Sequence, residues 1–87
     1  MSMDFDTLQA RIEHEIAGLR GAFPQVASCE SALVQWSENG QARYSLGLDI
    51  RWPQHQSLVS GTAEASPDAA VEAAFQRARE TLQRRST

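Results

Sequence analysis

Residues 44–52 of the chain read YSLGLDIRW, and apolar and polar side chains alternate throughout this stretch. An alternation of period two over nine residues predicts a half-buried β-strand, with one face in a core and the other in solvent. We place this strand at about residues 43–52. The expected core set is Tyr44, Leu46, Leu48, Ile50 and Trp52. The expected open-face set is Arg43, Ser45, Asp49 and Arg51.

A second strand is predicted before this one, over about residues 29–37. Asn39 and Gly40 follow it, and this dipeptide indicates a hairpin turn because both residues readily adopt positive φ. Trp36 is in phase with Ala32 and Val34, so we expect it to pack in the core, as we do Trp52. The alternative for both tryptophans is an exposed platform that stacks on bases or binds a protein.

A third strand, antiparallel to the second, is predicted over about residues 55–64, after Pro53 interrupts the alternation. Two amphipathic helices are predicted to flank the strands, at about residues 5–22 and 67–85, because their apolar residues recur at the helical period. Within the first helix, Arg11 and Glu15 are four residues apart and form a candidate ion pair.

Both helices begin at recognisable capping sequences. Asp4 or Asp6 can cap the first helix and suits the positive end of its dipole. Ser66 is placed to cap the second helix, with Pro67 as its first helical residue.

The predicted order of elements is therefore α-β-β-β-α. The economical arrangement is an α+β two-layer sandwich, a single domain over residues 1–87, with both helices on one face of a three-stranded antiparallel sheet. The other face of the sheet is then open to solvent or to a partner.

Composition excludes several classes of protein. The 87 residues carry eight arginines, no lysine and eleven acidic residues, so the net charge is -3. A single cysteine, Cys29, excludes an internal disulfide and a cysteine-based zinc cluster. No apolar run approaches a membrane span, and residues 1–6 show no signal-peptide core. We expect a cytoplasmic protein with no membrane association.

Catalysis has little support in the sequence. His14 and His55 lie on different predicted elements, and Cys29 has no basic neighbour in sequence to activate its thiol. The chain has no glycine-rich phosphate loop and no metal-binding motif. We therefore expect no enzymatic activity, no cofactor, no metal and no small-molecule substrate.

Nucleic-acid binding is suggested by the order of elements, which is that of the double-stranded RNA-binding domain. Such a domain places basic residues at the start of its second helix. Here that position carries Asp68 and Glu72, which repel phosphate. The remaining positive charge on this helix lies at Arg77, Arg84 and Arg85. It forms either a small phosphate-binding patch or a solvated flank that is partly neutralised.

Three stretches carry a resemblance to a known family: residues 44–53 (YSLGLDIRWP), residues 58–59 (LV) and residues 68–82 (DAAVEAAFQRARETL). They resemble the ribosome hibernation promoting factors, which include the ribosome-associated inhibitors and the sigma-54 modulation proteins. The resemblance implies binding to the small ribosomal subunit and its rRNA, in the channel for mRNA and tRNA, and suppression of translation in resting or stressed cells. The positions that match a basic role are Arg77, Arg84, Arg85, Arg11 and Arg20.

Two departures from that family lead to a second hypothesis. The family has a strand before its first helix, whereas only residues 1–4 precede the helix here, so the edge near residues 29–37 is expected to be exposed. An unpaired edge favours pairing with another copy, which predicts a homodimer. Acidic residues on both helices also weaken phosphate binding. The alternative is a diverged protein-interaction or self-associating domain that does not bind RNA.

Overall fold

The computed structural model describes residues 5–86, and the side chains of residues 6–85. The elements are α1 (Phe5–Ala22), β1 (Ser28–Glu38), β2 (Gln41–Trp52), β3 (His55–Ser60) and α2 (Pro67–Ser86). The predicted α+β fold and its order of elements are confirmed. Asp4, one of the two candidate caps of α1, lies outside the described residues.

The sheet is an antiparallel meander in the order β1-β2-β3. Asn39 and Gly40 connect β1 to β2 with φ values of 53° and 77°. Positive φ at both central residues is characteristic of the type I′ turn, whose twist matches that of the strands it joins. The predicted hairpin is confirmed, and this turn places Leu33 opposite Leu46.

The third strand is shorter than predicted, because β3 ends at Ser60 rather than at residue 64. The N–H of Gly61 still donates to the carbonyl of Leu46 at 3.1 Å, and the chain leaves the ladder after this residue, where it passes directly against Ala74 of α2. A Cβ atom on Gly61 would lie 3.1 Å from the backbone nitrogen of Ala74. Pairing resumes only at Glu64, which exchanges backbone hydrogen bonds of 2.8 and 2.9 Å with Tyr44.

Both helices pack on one face of the sheet, with α2 across β2 and β3, and α1 beside α2. The core between the layers is entirely apolar, because no polar or charged side chain in the described chain is buried. Burial of this apolar surface is the main force that holds helices and sheet together. The buried residues are Leu8, Ile12, Leu19, Val26, Leu46, Leu48, Ile50, Val59, Ala70, Val71, Ala74, Phe75, Ala78 and Leu82.

The start of α2 is capped as its sequence predicts. The backbone N–H of Ala69 donates to Oγ of Ser66 at 3.2 Å, and the helix begins at Pro67. The hydroxyl thereby satisfies one of the donors that the first turn leaves without a partner.

Ion pairs join the two helices, and the predicted pair within α1 does not form. Arg11 pairs with Asp68 at 2.8 Å, and Glu15 pairs with Arg79 at 2.7 Å. Each member of the predicted Arg11–Glu15 pair thus has its partner on α2, because the two helices lie side by side. Both ion pairs lie along the line where the two helices meet.

The expectation that Trp36 packs in the core is wrong. Leu33 faces Leu46 across the ladder and therefore shares its helix-covered side, so Val34 and Trp36 project from the opposite face of the sheet. The side of β1 with more apolar residues is therefore the exposed one. Trp52 behaves as expected, since it is partly buried and packs against the core.

The β1–β2 hairpin extends beyond the rest of the molecule. β3 pairs with β2 only from Gly47 to Trp52, and residues 34–42 are exposed on both faces. We call residues 34–42 the hairpin arm. It contributes to an elongated shape, with extents of 42 × 25 × 17 Å.

Candidate interaction surfaces

The open face of the sheet carries exposed apolar side chains on both outer strands. Val34 is 53% exposed, Trp36 37% and Leu58 75%. Val34 and Trp36 lie along β1, and Leu58 lies on β3, so β2 separates them. Val34 and Trp36, two residues apart on the same face, form a small exposed apolar strip that a partner macromolecule could cover.

A shallow hollow lies between these strands, above Gly47 of β2. Ala32 and Leu58 flank it, and Glu30 and Asp49 form part of its rim. Gly47 leaves the floor open, because a Cβ atom there would touch only the carbonyl oxygen of Ala32, at 3.8 Å. The hollow is too open to enclose a small molecule, but it can receive a side chain from a partner.

The charged residues of the open face are largely paired with one another. Arg51 donates to Asp49 at 3.0 Å, and the amide of Gln56 donates to the same carboxylate at 2.9 Å. These hydrogen bonds lower the pKa of Asp49. Near the arm, Arg43 lies 3.6 Å from Glu38. The expected polar lining is confirmed, and it presents little unbalanced charge.

The free edge of β1 is the longest unpaired backbone in the described chain. The two hydrogen bonds between Tyr44 and Glu64 show that even-numbered β2 residues bond toward the β3 side. Odd-numbered β2 residues therefore bond to the even-numbered residues of β1. The N–H and C=O groups that point outward from the sheet belong to Cys29, Ser31, Leu33, Gln35 and Ser37.

The opposite edge of the sheet is shorter and partly occupied. By the same alternation, the carbonyl of Ser60 points outward from β3, and Arg77 of α2 donates to it at 3.3 Å. An arginine at an edge is one of the ways in which proteins prevent unwanted strand pairing. β1 is less protected, because its sequence SCESALVQWSE contains no proline, glycine, lysine or arginine, and its two charged residues, Glu30 and Glu38, leave seven uncharged residues between them.

The five arginines matched to the hibernation factors do not form one patch. Arg84 and Arg85 lie at the C-terminal end of α2, and Arg20 lies near Cys29, at the same end of the molecule. Arg11 is at the other end, paired with Asp68, and Arg77 is on the β3 side. The assignment of these five residues to rRNA contact remains a prediction.

A small aromatic and basic cluster lies where α2 ends. The guanidinium carbon of Arg85 is 5.7 Å from the ring centroid of Trp52, within the range of a cation–π contact. The His55 ring lies 5.6 Å from the same indole and is tilted by 34°. Flat rings beside arginines can stack on bases and contact phosphates.

Residues 5–86 contain no arrangement of three or more histidine, cysteine or acidic side chains that would hold a metal ion. Partial burial and the nearby Asp49 raise the pKa of the Cys29 thiol, and Arg20 only partly opposes them. A raised pKa makes the nucleophilic thiolate scarcer. None of these groups forms a recognisable catalytic arrangement.

Sequence reasoning favoured the core for Trp36 and kept exposure as the alternative, although a signal for the open face was present. A two-residue turn at Asn39 and Gly40 requires Glu38 to face Gln41, and counting back places Trp36 opposite Arg43. A residue opposite the polar set of β2 must share the open face.

Comparisons with known proteins do not identify this chain: no protein-family model, no curated protein and no solved structure matches it. The resemblance to hibernation factors therefore remains a prediction. In the described part of the chain, neither helix has the length and apolar character needed to cross a membrane.

Proposed function

We propose that this chain is a non-enzymatic protein-interaction domain, and that it binds an extended segment of its partner along the free edge of β1. The observation that carries the proposal is the eleven-residue edge strand β1, which is uncharged from Ser31 to Ser37, whereas Arg77 contacts the opposite edge at β3. Long unprotected edges pair readily with other strands, and natural proteins usually block those they do not use.

The proposed binding mode is strand addition. The outward N–H and C=O groups of β1 supply hydrogen bonds that are independent of the partner's sequence, and neighbouring side chains supply selectivity. Val34 and Trp36 offer apolar contacts on the open face. Gln35 and Ser37 offer polar contacts on the other face, where the arm extends beyond the helices.

Two exposed glutamines, one on each edge strand, permit a direct test in cell extracts. Gln35 on β1 and Gln56 on β3 are both exposed, and each lies on a strand that forms an edge of the sheet. A photo-reactive phenylalanine derivative in place of Gln35 should give a discrete protein adduct on an extended segment of the partner. The same derivative in place of Gln56 should give none. Absence of an adduct from β1, or equal adducts from both strands, would contradict the proposal.

A second candidate function is ribosome-associated regulation of translation through the small ribosomal subunit. The cluster of Trp52, His55 and Arg85, with Arg84 beside it, supports this candidate, because it joins cations with a flat ring. It ranks second because the net charge is -3 and phosphate contacts supply most of the affinity for ribosomal RNA.

Co-sedimentation with purified small subunits over a salt series tests this candidate. The Arg84→Ala/Arg85→Ala variant should bind more weakly, and the slope of log K against log salt should fall by about 0.7–0.9 for each lost phosphate contact. Arg43→Ala/Arg51→Ala is the matched control, since it removes the same charge from the open face. Absence of binding by the unmodified protein at low salt would exclude the ribosomal role.

A further inference from the structure

We propose that the segment bound along β1 is the β1 strand of a second copy, so that two chains form a continuous six-stranded sheet. This inference rests on the proposed function and adds the identity of the partner and the register of pairing. The two β1 strands run antiparallel about a two-fold axis at Leu33. Each Leu33 then faces the partner's Leu33.

The alternation of hydrogen bonds restricts the possible registers. Outward groups belong to odd-numbered residues, so hydrogen-bonded pairs across the new interface must join odd residues to odd residues. With the axis at Leu33, the pairs are 29 with 37, 31 with 35, and 33 with 33. Five pairs of two bonds each give about ten new backbone hydrogen bonds.

Strand length favours the register centred on Leu33. Leu33 is the midpoint of β1, which runs from Ser28 to Glu38, so this register alone pairs all eleven residues of both strands. A shift of the axis to Ala32 or to Val34 is also compatible with the alternation. Each shift leaves two residues of each strand without a partner.

Charge disfavours the shift to Val34. That register places Glu30 directly opposite the partner's Glu38, and like charges in facing positions are destabilising. In the register centred on Leu33, Glu30 instead faces the partner's Trp36. Arg43 lies opposite Trp36 within each chain. In the dimer, the Trp36 indole of one copy therefore lies between Arg43 of its own chain and Glu30 of the other copy.

The hairpin arm, which β3 does not cover, also favours pairing with a second copy. It extends past β3 as a two-stranded ribbon, exposed on both faces, and such ribbons are only marginally stable alone. In the proposed dimer, residues 34–38 pair with residues 32–28 of the partner. Each arm then lies against the body of the other copy.

The same register brings apolar surface together on both sides of the sheet. On the helix-covered side, the partly buried Leu33 contacts the partner's Leu33. On the open side, Val34 lies beside the partner's Ala32. The exposed apolar surfaces of the two chains thus become one surface across the two-fold axis.

Sedimentation of the purified protein tests whether the partner is a second copy. We expect a dimer whose population rises with concentration. Gln35→Pro removes an edge-facing N–H without removing a ladder hydrogen bond, so this variant should be monomeric and folded. Gln56→Pro, the matched change on β3, should remain dimeric. A monomer at every concentration from micromolar to millimolar would overturn the proposal, as would a dimer that survives Gln35→Pro.

A disulfide test reports the register without relying on the proline variants. Cys29 should face position 37 of the partner, so Ser37→Cys should form covalent dimers when oxygen and copper phenanthroline oxidise the two thiols. Gln35→Cys would face the partner's Cys29 only if the axis lay at Ala32. Faster cross-linking of Gln35→Cys, or none of Ser37→Cys, would overturn the register.

Photo-crosslinking in cell extracts and sedimentation of the purified protein together distinguish strand addition along β1 from the proposed dimer. Suppose that the adduct formed at position 35 in cell extract contains a different protein and that the purified chain is monomeric. The proposal of a second copy as partner is then wrong, and strand addition along β1 stands. If no adduct forms and the chain is monomeric, both proposals fail.

Discussion

Arg77 donates a hydrogen bond from Nη1 to the backbone carbonyl of Ser60, and this 3.3 Å contact places a cation against the outer edge of β3. The two edges of the sheet are therefore unequal. One is short and covered by an arginine, and the other is long and uncovered. This difference limits open-ended growth of the sheet, since strand pairing at one edge gives a closed dimer and pairing at both gives a fibre.

Removing the Arg77 guanidinium should free the β3 edge for pairing. Arg77→Met keeps most of the side-chain volume but removes the donor, so the β3 edge becomes available and species larger than a dimer should appear in sedimentation velocity. The free energy of unfolding should change by no more than about 0.5 kcal/mol, because the contact is exposed. Arg84→Met, on the same helix, is the control and should leave assembly unchanged. Identical profiles for the two variants would rule out a protective role for Arg77.

Two glycine-to-alanine changes should affect stability in opposite directions. At Gly61 the new methyl would lie 3.1–3.3 Å from Ala74, and this overpacking should destabilise the fold by about 1–3 kcal/mol. At Gly18, on the exposed surface of α1, nothing lies within 4 Å, and alanine should stabilise the helix by about 0.5–1 kcal/mol. Urea denaturation measures both. A stabilising Gly61→Ala would show that the chain does not pass close to α2.

The ion pair between Arg11 and Asp68 should contribute little free energy and should depend on salt. A double-mutant cycle with Arg11→Met and Asp68→Asn should give a coupling of about 0.2–1 kcal/mol, because both groups are partly exposed. The coupling should shrink in about 1 M salt, where the Debye length is about 3 Å. The equivalent cycle on Glu15 and Arg79 provides a comparison. Zero coupling in both cycles at low salt would mean that these pairs do not align the helices.

Asp49 should make stability depend on pH in the acid range. Its pKa is lowered in the folded protein by hydrogen bonds from Arg51 and Gln56, so it stabilises the fold above the unfolded-state pKa of about 3.9. That contribution is lost as the pH falls toward the lowered, folded-state value. Asp49→Asn should therefore reduce the drop in unfolding free energy between about pH 6 and about pH 3. Gln56→Ala should give an intermediate result, and equal drops in all three proteins would contradict the assignment.

Gln54 should be replaceable by glycine with a gain in stability. Its φ of 69°, in the turn between β2 and β3, is a conformation that glycine adopts without steric cost. Relief of strain of about 1–3 kcal/mol exceeds the backbone entropy cost of glycine, about 0.5–1 kcal/mol, so Gln54→Gly should raise the free energy of unfolding, as measured in urea. Asn39→Gly is the control, because asparagine already tolerates positive φ and the change there should be smaller. Equal effects at both positions would argue against strain at Gln54.

The regular elements could be predicted because their patterns are local. The alternation over residues 44–52 and the cap at Ser66 depend only on neighbours in sequence, and both appear in the structure as expected. The face of β1 is different, because its local pattern favours the wrong side: Ala32, Val34 and Trp36 share one face, and that face is the exposed one. The register of pairing with β2 decides which face of β1 is exposed, and the turn at Asn39 and Gly40 sets that register.

The candidate surfaces could be predicted only in part. An exposed edge near residues 29–37 was expected because the family that the chain resembles has a strand before its first helix and none is predicted here. The position of Arg77 against Ser60 could not be predicted, because it depends on where α2 crosses the sheet. For the same reason, the pairing of Arg11 with Asp68 was missed: these residues are 57 apart in sequence, and no local pattern relates them.

The packing of α1 beside α2 has a consequence for synthesis of the chain. All pairings within the sheet join consecutive strands, whereas α1, the first element, packs chiefly against α2, the last. At about 5–20 residues per second, the ribosome makes the 64 residues between the ends of the two helices in about 3–13 seconds. Throughout that interval the apolar stripe of α1, with Leu8, Ile12 and Leu19, has no second helix to cover it. The nascent chain is therefore most exposed to aggregation and to chaperones at its first helix, until the last one is complete.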